Sequence, residues 1–557
     1  MKKKRSYIFK GLLILGLLIL VNTLTSSFFF RIDLTEDKRY TLSEPARQVV
    51  SEIGEPLIVD VFLEGDFPSE FRKLQMETRQ LLEEFNAYNN DIKFNFVNPL
   101  KEDANANEVA TQFYHLGMTP ARINVVENGR SSEAVIFPWA MANYKEKSVI
   151  VPLMRNQTGA TSQERINNSV QQLEYAFSDA FSKLLHPKHK KIAVMRGNAE
   201  LPDILLSDFI KSLQEYYLVA PFTLDSVANN PQGTLEQLKE YDMILEAKPT
   251  VAFSEAEKFV LDQYLMHGGK AIWMLDRVAM ETDSLFNVSG SAFALPRDLN
   301  LDDYFFKYGL RINPNLVQDL YSAPLVLASG TGNNTQFNPH PWPYFPLTSS
   351  MGNHAINNNI EAVQFEYAST IDTLKNDIKK TILLATSPLS RTQGTPLEIS
   401  LDQIQQEPNP DLFQAGSQTL AVLLEGRFTS VYENRIKPFE LAAPLEKGKE
   451  SQMLVISDGD IIKNDLQQGR PLELGFDRFT GMTYGNKEFL LNAVNYMLDD
   501  QGLVEIRSKQ VAIPFMDLRK ADEERTYWQI INLVGPLFLL AVIGLVYYFV
   551  RSRRYRI

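Results

Sequence analysis

The chain contains no cysteine in its 557 residues. Disulfides, cysteine nucleophiles, Cys-ligated zinc and iron–sulfur clusters are thereby excluded, since each needs a thiolate or its oxidised pair. Histidine is scarce: the six, at 115, 186, 189, 267, 340 and 354, form no His-Glu-x-x-His pattern, and His186 with His189 is the only close pair. Zinc therefore lacks a ligand set. A Gly-x-x-x-x-Gly-Lys-Ser/Thr loop is missing, so the chain is not by itself a P-loop ATPase, and no Gly-x-Ser-x-Gly elbow sits between a strand and a helix. Nor does any spacing match an EF-hand. Positive charge is short wherever the chain should be folded. Five of the 56 basic residues lie in the first ten positions and four in the last seven, leaving 47 against 68 acidic residues, a net charge of −21. A body that acidic cannot displace counterions from phosphate backbones, which removes nucleic acid as a partner. What is present is an ordinary globular composition, 44% hydrophobic and 22% charged, on a length that allows about three or four folding units.

Two apolar runs frame the body. Tyr7 to Phe30 carries one charge, Lys10, near its start, and is long enough to cross roughly 30 Å of hydrocarbon. Its basic n-region also suits a cleaved signal, but NTLTSSFFFRIDL offers no small-x-small site, so it reads as an uncleaved anchor. Trp528 to Val550 is uncharged, with Trp528 at one edge and Tyr547 and Tyr548 near the other, as interfacial anchors would be. MKKKR precedes the first run and RSRRYRI follows the second, so the positive-inside rule puts both termini in the cytoplasm and the body outside, in the periplasm of a Gram-negative inner membrane.

Within the body, Ser43-Glu44-Pro45 opens a short helix. LIVDVFL (57–63) and IKFNFV (92–97) read as strands around a helix carrying Phe71, Leu74, Leu81, Leu82 and Phe85 at helical spacing. GMTPARINVV and EAVIF then form a strand pair about Asn128-Gly129. This β-α-β, β-β order, with Thr119-Pro120 entering a strand, resembles a thioredoxin fold and its cis-proline without the Cys-x-x-Cys. A linking helix from about Asn168 to Leu185 leads into alternating strands and amphipathic helices: KIAVM, then Pro202 to Tyr217, YDMILEA, a capping box at Ser254, and AIWML. Such alternation predicts an open, mostly parallel α/β sheet. Residues 323–359, rich in Gly, Asn and Pro, show no periodicity and read as a long loop in which Trp342, Tyr344 and Phe345 either stack on a glycan or tuck into their own domain. The organisation expected is residues 1–30 as tail and first span, 31–160 as the thioredoxin-like module and 161–187 as the linking helix. Residues 188–508 follow as the flavodoxin-like domain, then 509–526 as connector, 527–550 as second span and 551–557 as tail. Asp517 to Trp528 contains no Gly/Ser run and reads as a stiff coupling segment.

Ligands of open α/β sheets sit beyond the carboxyl ends of the strands, which nominates Arg196, Asn198 and Glu200 after KIAVM, Asp276 after AIWML, and Asp458 and Asp460 after MLVIS. The same residues serve equally as turn formers. No catalytic residue, metal site or cofactor is assigned.

Five stretches carry a family resemblance: RIDLTEDKRYTLSEPARQVV, DVFLEGDFPSEFRKLQMETRQLLEEF, HLGMTPARINVVENGRSSEAVIFPW, KKIAVMRGNAELPDILLSDFI and YGNKEFLLNAVNYMLDD. Together they resemble the GldG family of Bacteroidota, the gliding-motility-associated auxiliary components of an ABC transporter, over nearly the whole chain. The resemblance implies a noncatalytic partner of a membrane permease and a separate cytoplasmic ATPase. It also implies that the central domain is similar to one shared with a ciliary intraflagellar transport protein and related in fold to class I glutamine amidotransferases, whose site needs a cysteine this chain lacks. A scaffold tethered to the bilayer and binding a cell-envelope glycan or protein is the alternative.

Overall fold

A computed structural model describes residue 16, residues 41–100 (except 66 and 68), 106–127, 130–154, 162–330, 336–350, 354–499 (except 359), 502, 503, 506 and 524–555. The first apolar run, apart from Gly16, and the coupling segment up to residue 523 lie outside them. The chain divides into two units, 1–510 and 511–557.

The first part of the larger unit is a module built on a four-stranded sheet. Its strands are β1 (Leu57–Val61), β2 (Ile92–Phe96), β5 (Trp139–Tyr144) and β6 (Lys147–Pro152), in the order β2-β1-β5-β6. β1 runs parallel to β2 and antiparallel to β5. Alternate residues Leu57, Val59 and Val61 point inward, the period of a half-buried strand. Helix α1 (Glu44–Ser51), whose N-terminus Ser43 caps, sends Ala46, Val49 and Val50 into the core. Helix α2 (Ser69–Tyr88) joins β1 to β2, α3 (Ala106–His115) follows β2, and Phe85 meets Phe177 and Phe181 edge-on at 6.4 and 5.2 Å.

Three sequence expectations are corrected here. The strand pair β3 (Ala121–Glu127) and β4 (Arg130–Ile136) forms a hairpin that, among the described residues, pairs only with itself, its turn residues 128 and 129 falling outside the described ones. WAMANY and KSVIVP complete the sheet instead. The peptide bond before Pro120 is not cis; the cis bond among the described residues is Thr395–Pro396, and Thr119 is held through its carbonyl by the Trp139 indole N–H at 2.7 Å. Finally, the helix read as a linker, α4 (Ser162–Leu185), buries Ile166, Leu173, Phe177, Phe181 and Leu184 in the module's own core.

A large sheet follows. β7 (Lys191–Arg196), β8 (Leu218–Thr223), β9 (Met243–Ala247) and β10 (Lys270–Met274) alternate with α5 (Asp203–Leu213), α6 (Pro231–Leu238) and α7 (Glu255–Met266). All four are parallel, as is β15 (Lys447–Ile456) beside β10, giving the parallel order β8-β7-β9-β10-β15. These strands are unbroken apolar runs because both faces are covered: Ile192 and Val194 enter one core, Ala193 and Met195 the other. β11 (Ser322–Ser329), β12 (Gln336–Ser350), β13 (Lys379–Ala385) and β14 (Thr419–Thr429) extend the sheet antiparallel beyond β15, and α9 (Asn486–Leu498) covers one face, α8 (Asp302–Tyr308) the other. The expected long loop therefore contains two paired strands. Pro339, Pro341 and Pro343 alternate along β12, so the missing N–H groups all fall on one edge, and Pro341 stands opposite Pro324, where neither needs to donate. Trp342, Tyr344 and Phe345 are at most 4% exposed, which removes them as a glycan platform.

Helix α7 has a complete capping box: Ser254 Oγ accepts from the Glu257 N–H at 3.3 Å, and Glu257 Oε2 accepts from the Ser254 N–H at 2.7 Å. Ser254→Ala is expected to cost about 1 kcal/mol, measured as a lower midpoint in urea unfolding. The smaller unit contains α10 (Arg525–Tyr555), exposed along nearly all of its described length; the most apolar 18 residues of its Arg525–Arg553 stretch have a mean hydropathy of 2.4, and the stretch is long enough to cross a membrane.

Candidate functional site

The carboxyl ends of β9, β10 and β15 converge, and the residues immediately after them, Lys248, Asp276, Asp458 and Asp460, form one buried group. Lys248 follows β9 with φ of +57°, a left-handed turn that swings its stem across Gly459. A Cβ on Gly459 would lie 2.4 Å from Lys248 Cγ, so only glycine lets the stem pass. Lys248 Nζ then sits 2.5 Å from Asp460 Oδ2, 3.4 Å from Asp276 Oδ2 and 2.9 Å from Glu281. Lys463 Nζ reaches the other oxygen of Asp460 at 3.1 Å, and Arg297 Nη1 lies 3.5 Å from Asp276. Backbone donors add to these: Gly459 N–H donates to Asp276 Oδ1 at 2.6 Å, while Asp460 N–H and Glu366 N–H both donate to Asp458 at 2.7 Å.

The electrostatics follow from burial and from these neighbours. Burial pushes the Asp276 carboxyl up to about 6 and that of Glu366 up to about 7, and it also raises Asp458 well above the ordinary range. For Asp460 burial acts upward too, but Lys463 and Lys248 outweigh it and hold the carboxyl below its usual value. Lys248 keeps its proton because Asp276, Asp460 and Glu281 together overcome its desolvation. Asp276, Asp458 and Asp460 bring carboxylate oxygens within 4.8 Å of one another, close enough for a cation. An ammonium is already there: Lys248 bridges Asp276 and Asp460 where a metal would bind both.

Of the six residues named from sequence, the structure gathers these three aspartates and leaves the other three apart. Arg196 pairs with Asp203 and donates to the Met195 carbonyl at 2.7 Å. Glu200 accepts the Asn198 N–H on both oxygens at 3.1 Å, and the Asn198 carbonyl accepts from Thr250 and Val251 N–H. Those are turn-holding bonds, and among the described residues none reaches an aspartate of the cluster. Sequence reasoning misses Lys248, Glu366 and Lys463. Lys248 carries a usable signal, being the first residue past the YDMILEA strand; Glu366 and Lys463 arrive from irregular segments. Asp458, Asp460, Glu366 and Lys463 also line a cavity of about 310 Å³ walled by Phe286, Phe345 and Phe479.

Residues 189–493, more than half of the chain, match the family described as an ABC-type uncharacterized transport system. The chain belongs to that family. As a member of this ABC-type transport family it is a transport-associated protein, and its matched region coincides with the α/β domain, opening two residues before β7 and ending within α9. Residues 36–143, most of the module, match a domain of unknown function, DUF7088. An uncharacterized protein of Borreliella burgdorferi is 19% identical over 575 residues, covering 100% of this chain and 99% of its own. Among solved structures, the mmIFT52 N-terminal domain is similar at 14% identity and a TM-score of 0.31, covering 56% of this chain and 98% of that one.

Proposed function

We propose that this member of the ABC-type transport family is the noncatalytic, substrate-binding-like auxiliary subunit of a transporter, partnering a membrane permease and a separate ATPase. The carrying observation is the conjunction, on one chain, of the family match over 189–493 with the exposed apolar helix α10. In this reading a second anchor lies at Tyr7 to Phe30, both termini are cytoplasmic, the body is periplasmic in the inner membrane, and the complex serves gliding over surfaces. The sheet orders support the domain assignments: β8-β7-β9-β10-β15 follows the flavodoxin-like pattern, and β2-β1-β5-β6, with one parallel and two antiparallel pairings, suits a thioredoxin-like module. A noncatalytic role is favoured by the aspartate cluster, where Lys248, Lys463 and backbone N–H groups occupy the carboxylates. Ligand capture in the adjoining cavity, at Asp458 and Asp460, belongs to the same proposal.

The test is gentle detergent purification of the tagged full-length chain with mass spectrometry of what co-purifies and an ATPase assay on the eluate. A polytopic permease and an ATPase are expected to come down together. A chain eluting alone, or with cell-wall glycan, would overturn the transporter reading.

A further inference from the structure

The α/β domain is spliced into the module rather than following it. The module's core holds residues from both sides of the domain in sequence, Leu42 through Leu184 before it and Leu503 and Ile506 after it. The chain thus leaves the module over 186–190, and after α9 it is again in the module's core at Leu503. At this junction there is a cavity of about 340 Å³, lined by the C-terminal part of α4, residues 186–190, the turn after α5, and Leu498, Asp499 and Leu503. That volume is at the small end of the roughly 300–1,000 Å³ typical of small-molecule sites, which favour domain junctions.

The charge of this cavity is the reverse of the body's. Its carboxylates have partners: Asp179 pairs with Lys183 at 3.3 Å and accepts the Tyr216 hydroxyl at 3.2 Å, Glu215 lies 3.5 Å from the same lysine, and Asp499 accepts the Gly502 N–H at 2.9 Å. Lys190 lies 3.6 Å from Asp242, and two ammonium groups remain. Among the described residues no carboxylate pairs with Lys147 or Lys188, and Lys188 donates only to the Gln214 carbonyl. The same cavity carries aromatic rings: Tyr216 and Tyr217 are stacked at 5.9 Å and 29°, with Lys183 3.8 Å over the Tyr216 ring. The histidines here do not form a metal pair, since His186 Nε2 is engaged by Glu52 at 2.8 Å.

We propose that this junction binds a small organic anion, a carboxylate or phosphate carried on a flat apolar ring, with the anionic group held by Lys147 and Lys188 and the ring against Tyr216 and Tyr217. Lys147 belongs to the module and Lys188 to the segment leaving it, while the tyrosines belong to the domain, so one ligand touches both bodies. Its occupancy is then linked to how module and domain are held together. The site does not depend on the transporter reading.

The experiment uses the full-length chain in detergent and isothermal titration with phenyl phosphate and phenylacetate, beside benzyl alcohol and inorganic phosphate. Both ring anions are expected to bind with saturation, and the neutral ring and the bare anion about tenfold or more weaker, as loss of one charge-assisted contact implies. The Lys147→Ala/Lys188→Ala double variant should keep the wild-type melting temperature and lose about tenfold or more in affinity. Hydrogen exchange should show ligand protection on both sides, in 175–186 and in 214–217. The proposal is overturned if neither ring anion binds at millimolar concentration, if benzyl alcohol binds as well, if the double variant binds like wild type, or if protection is confined to one side.

Discussion

Lys248→Met is expected to destabilise the α/β domain by about 3–5 kcal/mol at pH 8, the usual cost of removing one partner from a buried ion pair. The side chain is 3% exposed as a residue and bridges Asp276 and Asp460, themselves 6% and 9% exposed, so its loss leaves carboxylates that neither water nor Lys463 fully serves. Methionine keeps the stem's volume over Gly459, which confines the effect to charge. The pH dependence separates this from a packing defect. In the folded protein Asp276 titrates at about 6 and Glu366 at about 7, above their ordinary values of 3.8 and 4.5. A carboxyl raised in the fold keeps its proton after the unfolded chain has lost its own. The stability these two contribute is full below about pH 4 and is lost as pH rises through 6 and 7. Asp460 has the opposite sign, but it is held below 3.8 and stays ionised across that window. Removing the Lys248 ammonium raises the aspartates further and steepens the fall. The deficit of Lys248→Met relative to wild type should therefore be smaller at pH 5 than at pH 8 in urea unfolding. An equal deficit at both would assign the loss to packing.

How much of this was legible in the sequence depends on which contacts decide each element. The parallel strands and their helices were readable because a strand covered on both faces must be an apolar run and a helix on a sheet must show a 3.6-residue stripe, as KIAVM does and as Leu205, Phe209, Ile210 and Leu213 do on α5, where the structure buries Phe209 and Leu213, adds Leu206 and leaves Leu205 and Ile210 half-buried. The capping box at Ser254 was readable for the same local reason. β12 was not, because alternating prolines look like a loop until a partner strand shows that their missing N–H groups lie on one edge. β5 and β6 carry little signal of their own, since WAMANY has a weak apolar run whose burial is set by β1 and α4 far away in sequence. Asp276, Asp458 and Asp460 could be named from their places after strands. Their neutralisation could not, because Lys248, Lys463 and Arg297 reach them from segments whose course only the fold determines.

The second large effect is expected at Asp262, for which no sequence signal existed beyond its being an acid on the buried side of α7. It is 0% exposed and accepts four hydrogen bonds: from Tyr308 on α8 at 2.7 Å, Ser430 Oγ at 2.6 Å, the Val431 N–H at 2.8 Å and the Gln263 amide at 3.0 Å. One carboxylate thus ties α7 and α8 to the chain leaving β14. Asp262→Ala is expected to cost about 2–5 kcal/mol, because the hydroxyls can turn elsewhere but the Val431 N–H and one amide donor cannot, at roughly 1–3 kcal/mol for each buried orphan. Asp262→Asn keeps the shape and one oxygen for Val431 and Tyr308, and Ser430 can rotate to accept from the new NH₂, so only the Gln263 amide meets a competing donor. Its loss should be well below that of alanine. Burial outweighs the four donors and lifts Asp262 above its ordinary 3.8, so this group's contribution is full below that value and declines as pH rises past it. Asparagine never ionises and has no such decline, so the Asp262→Asn deficit should narrow as pH rises from about 4 toward neutrality. A deficit that widens instead, or an asparagine variant as unstable as alanine in the same urea series, would mean that the negative charge and not the set of acceptors holds α7 to α8.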